Sequence, residues 1–99
     1  MSKFLVLYHS SASAREQMSN ATPEQAQAGM EAWQAWAGEA GPALVDLGAP
    51  LAGDGDIAGF SILQADSRAQ VDGLLADHPH RQAPGSSIEV LEFLALPGM

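Results

Sequence analysis

The sequence predicts an α+β fold of the ferredoxin-like kind, βαββαβ, with a four-stranded antiparallel sheet and both helices on one face. Three observations carry this. Four short apolar segments of strand character alternate with two helical segments in the required order. Both helical segments open on a capping pattern. The first and last strands are apolar on both faces, which leaves one face of the sheet needing a cover.

Lys3-Phe4-Leu5-Val6-Leu7-Tyr8-His9 reads as the first strand, with Phe4, Val6 and Tyr8 on one face and Leu5, Leu7 and His9 on the other. Residues 10–21 form a long connection in which Ser13 and Glu16 can cap a single turn. Thr22-Pro23-Glu24-Gln25 then starts a helix: Thr22 caps, Pro23 suits the first helical position, and Gln25 completes a capping box. Ala26, Met30, Trp33 and Ala37 recur at helical spacing, so Met30, Trp33 and Trp36 are expected in the core, with Gly29 allowing close packing on the sheet. Gly41-Pro42 stops this helix.

Ala43–Leu47 reads as the second strand, ended by Gly48-Ala49-Pro50, and a turn containing Gly53-Asp54-Gly55-Asp56 leads into a third strand over Ile57–Gln64. Ser67-Arg68-Ala69-Gln70 is a second capping box. It precedes a short helix with Val71, Leu74 and Leu75 on one side, bounded by Pro79. After a loop over residues 81–86, Ser87–Leu96 reads as the last strand. There Ile88, Val90 and Leu94 alternate with Leu91, Phe93 and Ala95, and Glu89 and Glu92 interrupt one face each.

An antiparallel sheet with one wet face alternates apolar and polar residues. Two strands here do not, and two helices cover one face only. The expected cover for the second face is another copy of the chain, in a face-to-face homodimer. The 99 residues fit one domain spanning 1–99, and 46% of them are hydrophobic, enough for a core. Four basic residues against twelve acidic ones give a net charge of −8, which repels phosphate backbones and predicts no nucleic-acid partner. The absence of cysteine removes disulfides and thiolate chemistry. The opening Met1-Ser2-Lys3-Phe4 has no signal-peptide pattern and no apolar run reaches membrane-spanning length, so the expectation is a cytoplasmic protein with no membrane partner.

Several segments in this order resemble the YCII-related family, also called the DGPF domain family. They are Lys3–Tyr8, Met30-Glu31-Ala32-Trp33-Gln34-Ala35-Trp36, Val45-Asp46-Leu47-Gly48, Gly59–Asp66, Asp77-His78-Pro79-His80 and Ser87-Ile88-Glu89-Val90, nearly the whole chain. The resemblance implies a dimeric ferredoxin-like α/β barrel. Some members carry a histidine on the first helix, paired with a downstream aspartate in a proposed acid/base dyad. Here that stretch holds Glu31 and Trp33 instead, and Asp56-Ile57-Ala58-Gly59-Phe60 stands where the DGPF tetrapeptide would be. The dyad therefore does not transfer intact.

The topology brings His9, Asp46, His78 and His80 to one end of the sheet. Histidine titrates near neutral pH and suits proton transfer, and Asp46 is a candidate to orient His9. These four are the candidate catalytic residues. Tyr8, Arg81 and Ser86 are candidate substrate-binding residues, Arg81 through its affinity for carboxylates. The expected function is a small dimeric enzyme using histidine acid/base chemistry on a small organic molecule. The alternative is a non-catalytic dimer that binds a metabolite or a partner. The three histidines with a carboxylate also suit a zinc-like ion, although their spacing matches no standard metal motif. No phosphate loop or dinucleotide fingerprint is present, so no cofactor is expected.

Overall fold

The structure is a computed structural model that describes residues 1–11, 19–53, 55–82 and 85–96. Its elements run β1 (Ser2–His9), α1 (Pro23–Ala40), a 3-10 turn (Gly41–Ala43), β2 (Leu44–Asp46), β3 (Ile57–Ala65), α2 (Arg68–Leu75), a second 3-10 turn (Pro79–Gln82) and β4 (Ser87–Glu92). The sheet order is β2-β3-β1-β4 and every pairing is antiparallel, the arrangement of a ferredoxin-like α+β fold. The Ser13–Glu16 turn lies outside the described residues.

β1 holds the centre of the sheet because it is apolar on both faces. Phe4, Val6 and Tyr8 are buried, and they form one cluster with Leu63 and Ala65 of β3, Trp36 of α1, and Val71 and Leu75 of α2. Both helices therefore cover the same face. Leu5, Leu7 and His9 point to the opposite, open face. The register sets Ile62 and Leu91 beside Leu5, and Phe60 and Glu89 beside Leu7. The open face is thus a continuous apolar surface, rimmed by Leu91 at 44% and Phe93 at 49% exposure.

The cap of α1 forms as the sequence predicts: Thr22 Oγ1 accepts from the Gln25 amide and the Gln25 side chain accepts from the Thr22 amide. The expected core stripe does not form along the whole helix. Met30 is 59% exposed, residues 22–31 are all exposed, and a side-chain carbon at Gly29 would meet nothing within 4 Å. The helix meets the core only through its C-terminal half, where Trp36 and Ala40 are buried and Trp33 packs alongside.

Three boundaries also differ from expectation. β2 keeps three residues instead of five, because Gly41–Ala43 winds into a 3-10 turn and a register shift falls between Leu44 and Asp46. β4 ends at Glu92 rather than Leu96: the Phe93 amide still donates to the Lys3 carbonyl, but the ladder goes no further and Leu94 is 82% exposed. At α2, Ser67 Oγ accepts from the Gln70 amide, while the Gln70 side chain accepts from the Asp66 amide instead of that of Ser67. The box is displaced by one residue.

Gly48 is held at φ 89°, and a side-chain carbon there would fall 1.6 Å from the Phe60 carbonyl oxygen. Only glycine allows β3 and the end of β2 to come this close.

Candidate functional site

The sheet end carrying the C-terminus of β1 is where β3 and β4 begin. A register shift between Tyr8 and His9 sets Tyr8 opposite Gly59 and His9 opposite Ile57, so Ala58 is an extra residue in β3. Such a bulge bends the strand and redirects its neighbours. Here it carries Asp56 round to His9. The Ser10 amide donates to the Asp56 carbonyl and fixes the turn from the other side.

His9 lies on the open face with both ring nitrogens on carboxylates. Nδ1 is 2.9 Å from Asp56 Oδ1 and Nε2 is 2.8 Å from Glu89 Oε1. Each ionised carboxylate accepts and cannot donate, so both contacts are satisfied together only by the doubly protonated imidazolium. The hydrogen bond that His9 donates to Asp56, followed by the one it donates to Glu89, raises the His9 pKa above 6.5, and the first of these lowers that of Asp56. The result is a charge-assisted clasp beside the apolar row of Leu7 and Phe60.

Asp46 does not orient His9. Its Oδ1 accepts from the Gly48 amide at 2.8 Å, closing a local turn at the end of β2. An aspartate two residues before a glycine in the left-handed region makes this contact readily. Asp56 and Glu89 take the role expected of Asp46.

The other histidines lie at the same end but across the sheet from the His9 ring. His78 is 1% exposed and packed among Tyr8, Trp33 and Trp36, with ring centroids 4.8, 4.4 and 4.3 Å away. Its Nδ1 accepts from the His80 amide at 3.0 Å, which places the proton of the neutral ring on Nε2, where no acceptor among the described residues lies within reach. Burial first, then the nearby positive potential of His80 and Arg81, pushes the His78 pKa down to about 4. His78 is thus a neutral core residue at physiological pH.

His80 Nε2 donates to the backbone carbonyl of His9 at 2.8 Å. This bond joins the loop after α2 to the end of β1, yet the two imidazoles remain on different faces. The four expected catalytic residues therefore do not converge: His9 stands apart on the open face, His78 and His80 pack on Tyr8, and Asp46 serves its own turn. Among the described residues no group of three or more histidine or acidic side chains is placed to hold a metal ion.

Tyr8 is buried, and its hydroxyl donates to Ser61 Oγ at 2.8 Å, which in turn donates to the Leu47 carbonyl at 2.6 Å. Burial lifts its pKa to about 12. This relay ties β1, β3 and the end of β2 together and turns the hydroxyl away from any ligand on the open face. Arg81 Nε donates to the Leu75 carbonyl at 2.7 Å, closing the C-terminus of α2. Ser86 is half-buried just ahead of β4.

Sequence reasoning passed over Asp56 and Glu89 as partners of His9. The signal for Glu89 was present: it is the one charge that breaks the apolar pattern on its face of β4, and His9 is a polar end of the matching face of β1. Asp56 depends on the Ala58 bulge, which no local pattern announces. No helix among the described residues is long and apolar enough to cross a membrane. No family model matches the chain, and no curated protein is significantly similar to it.

Proposed function

We propose that the chain is a YCII-related protein that works as a cytoplasmic homodimer and uses His9 for proton transfer on a small organic molecule. One observation carries this reading: His9 is clasped by Asp56 and Glu89 on an otherwise apolar sheet face. The clasp keeps a proton on the imidazole near neutral pH, where a general acid needs it. Leu7 and Phe60 supply apolar walls for the carbon skeleton of a ligand. A second copy packed on the open face would exclude water from the same corner.

The second reading is a non-catalytic dimer. It is favoured by the occupation of both His9 nitrogens, since a general acid must release one carboxylate to meet its substrate. One experiment separates the two. The protein is incubated in D2O with a panel of small carbonyl acids and ketones, and hydrogen exchange at activated carbon is followed by NMR. Exchange that is catalysed by the wild type and lost in His9→Gln supports proton transfer. Saturable binding with no His9-dependent exchange supports the binding module.

A further inference from the structure

The charges on the open face are segregated along the strands. Lys3 occupies one end, on the same face as Leu5, Leu7 and His9. It is the only basic residue of that face among the described residues, since Arg68 pairs with Asp72 on α2 and Arg81 bonds the end of α2. Asp56 and Glu89 occupy the other end, and with His9 protonated this cluster keeps a net charge of −1. Asp46 pairs with Ile62, level with Leu5, and its carboxylate is taken by the Gly48 amide. Asp66, at the Lys3 end, belongs to the start of α2, where its amide bonds Gln70. The span from Lys3 to His9 is about 20 Å at ~3.3 Å per residue.

Two sheets can pack face to face about a two-fold axis in only two simple ways. If the axis runs along the strands, each acidic cluster faces its own copy and Lys3 faces Lys3. Like charges set opposite one another oppose association, and the chain already carries a net charge of −8. If the axis runs across the strands near Val6, β1 lies antiparallel over its copy. The Leu5 row then stacks on the Leu7 row, with Leu5 over Leu7 and Ile62 over Phe60 while Leu91 meets Glu89, and each Lys3 meets the other chain's His9 cluster. A lysine side chain is long enough to cross most of the ~10 Å between packed sheets.

We infer that the His9–Asp56–Glu89 cluster is completed by Lys3 of a second copy, in a dimer whose two-fold axis crosses the strands. This rests on the homodimer proposed above and adds its orientation and a fourth member of the site. Each of the two symmetric sites then carries a lysine over paired carboxylates.

The absence of cysteine makes the test direct. Lys3→Cys, Ser87→Cys and the double variant are purified, their mass is measured by sedimentation, and each is treated with a bismaleimide of about 10 Å, the spacing of packed sheets. Ser87 is an exposed residue beside His9 in the β1–β4 register and lies outside the cluster. Within one chain the two positions are about 20 Å apart, too far for the linker. The inference expects a wild-type dimer at micromolar concentration, a covalent dimer from the double variant, and none from either single variant. Lys3→Glu should weaken the dimer roughly tenfold by setting like charges together. A monomeric wild type overturns the homodimer itself. A dimer in which either single variant links to itself, or in which no variant links, leaves the homodimer standing and overturns the orientation.

Discussion

His78 offers the sharpest quantitative test of the packing. The fold holds the neutral imidazole, because an imidazolium there would lose its water to the rings of Tyr8, Trp33 and Trp36 and would face His80 and Arg81. Its pKa falls from 6.5 to about 4 on folding. The stabilisation of a group held neutral is complete above the unfolded value and is lost as the pH drops from 6.5 towards 4. Linkage gives a loss of about 1.4 kcal/mol at pH 5.5, about 2.5 at pH 4.5, and about 3.4 once both states are protonated. A few kcal/mol is a large part of the stability of a domain this size. His78→Phe keeps the shape and removes the titration. At pH 7 the variant loses an acceptor for the His80 amide and also loses a buried N–H without a partner, so it should lie within about 1 kcal/mol of the wild type. Below pH 5 it should be the more stable protein. Urea unfolding at pH 7.0, 5.5 and 4.5 measures the difference, and the other titrating groups cancel between the two proteins. Parallel stability profiles for wild type and variant would refute the neutral, buried histidine.

Three further outcomes follow from the geometry. His9 has its pKa raised on folding by Asp56 and then Glu89, so its contribution is present below pH 6.5 and is lost as the pH rises through the folded value. Asp56→Asn and Glu89→Gln should each lower that value, and the double variant should bring it lowest, as followed by the His9 Cε1 proton resonance; a titration unchanged in all three would sink the clasp. Gly48→Ala should destabilise the fold by about 2–4 kcal/mol, because the new methyl cannot avoid the Phe60 carbonyl and the residue must hold φ 89°; a denaturation midpoint equal to wild type would contradict the close approach. Thr22→Ala should cost about 1 kcal/mol at the start of α1. Since residues 22–31 are exposed, the loss should show as faster amide exchange in the first turns of α1 with little change in the global midpoint; a full-sized drop in the global midpoint would mean that this end of the helix is packed after all.

The order of elements was legible because the signals are strong and local. Thr22-Pro23 with Gln25, and Ser67 with Gln70, mark helix starts wherever the tertiary structure puts them. The two-sided character of β1 follows from alternation alone and led directly to an uncovered sheet face. Met30 was misplaced for a physical reason: helical spacing identifies a stripe, but the elements packed against the stripe decide how much of it is covered, and here only the C-terminal half of α1 meets the core. The C-terminal apolar run reads as strand through Leu96, yet the ladder to β1 closes with the Phe93 amide on the Lys3 carbonyl and the residues after it are exposed. The site shows the same division. His9 was legible as a polar strand end. Its partners come from positions 47 and 80 residues away, set by a bulge and by strand register, both of which belong to the assembled sheet. Asp46 attracted attention by its proximity in the topology, and the short bond to Gly48 decided otherwise.

The central position of β1 also shapes how the chain must be assembled. It is made before the other three strands, yet its two neighbours are β3, which starts at Ile57, and β4, which ends at Glu92. No strand close in sequence can shelter it. Nearly the whole chain must be made before the middle of the sheet closes, so the folding nucleus is dominated by distant contacts and folding is slow relative to helical domains of this size. During that interval an aliphatic, β-prone segment with no internal proline stands unpaired, the kind of stretch that seeds aggregation. Lys3 at its start and the excess negative charge of the chain oppose the association of such strands.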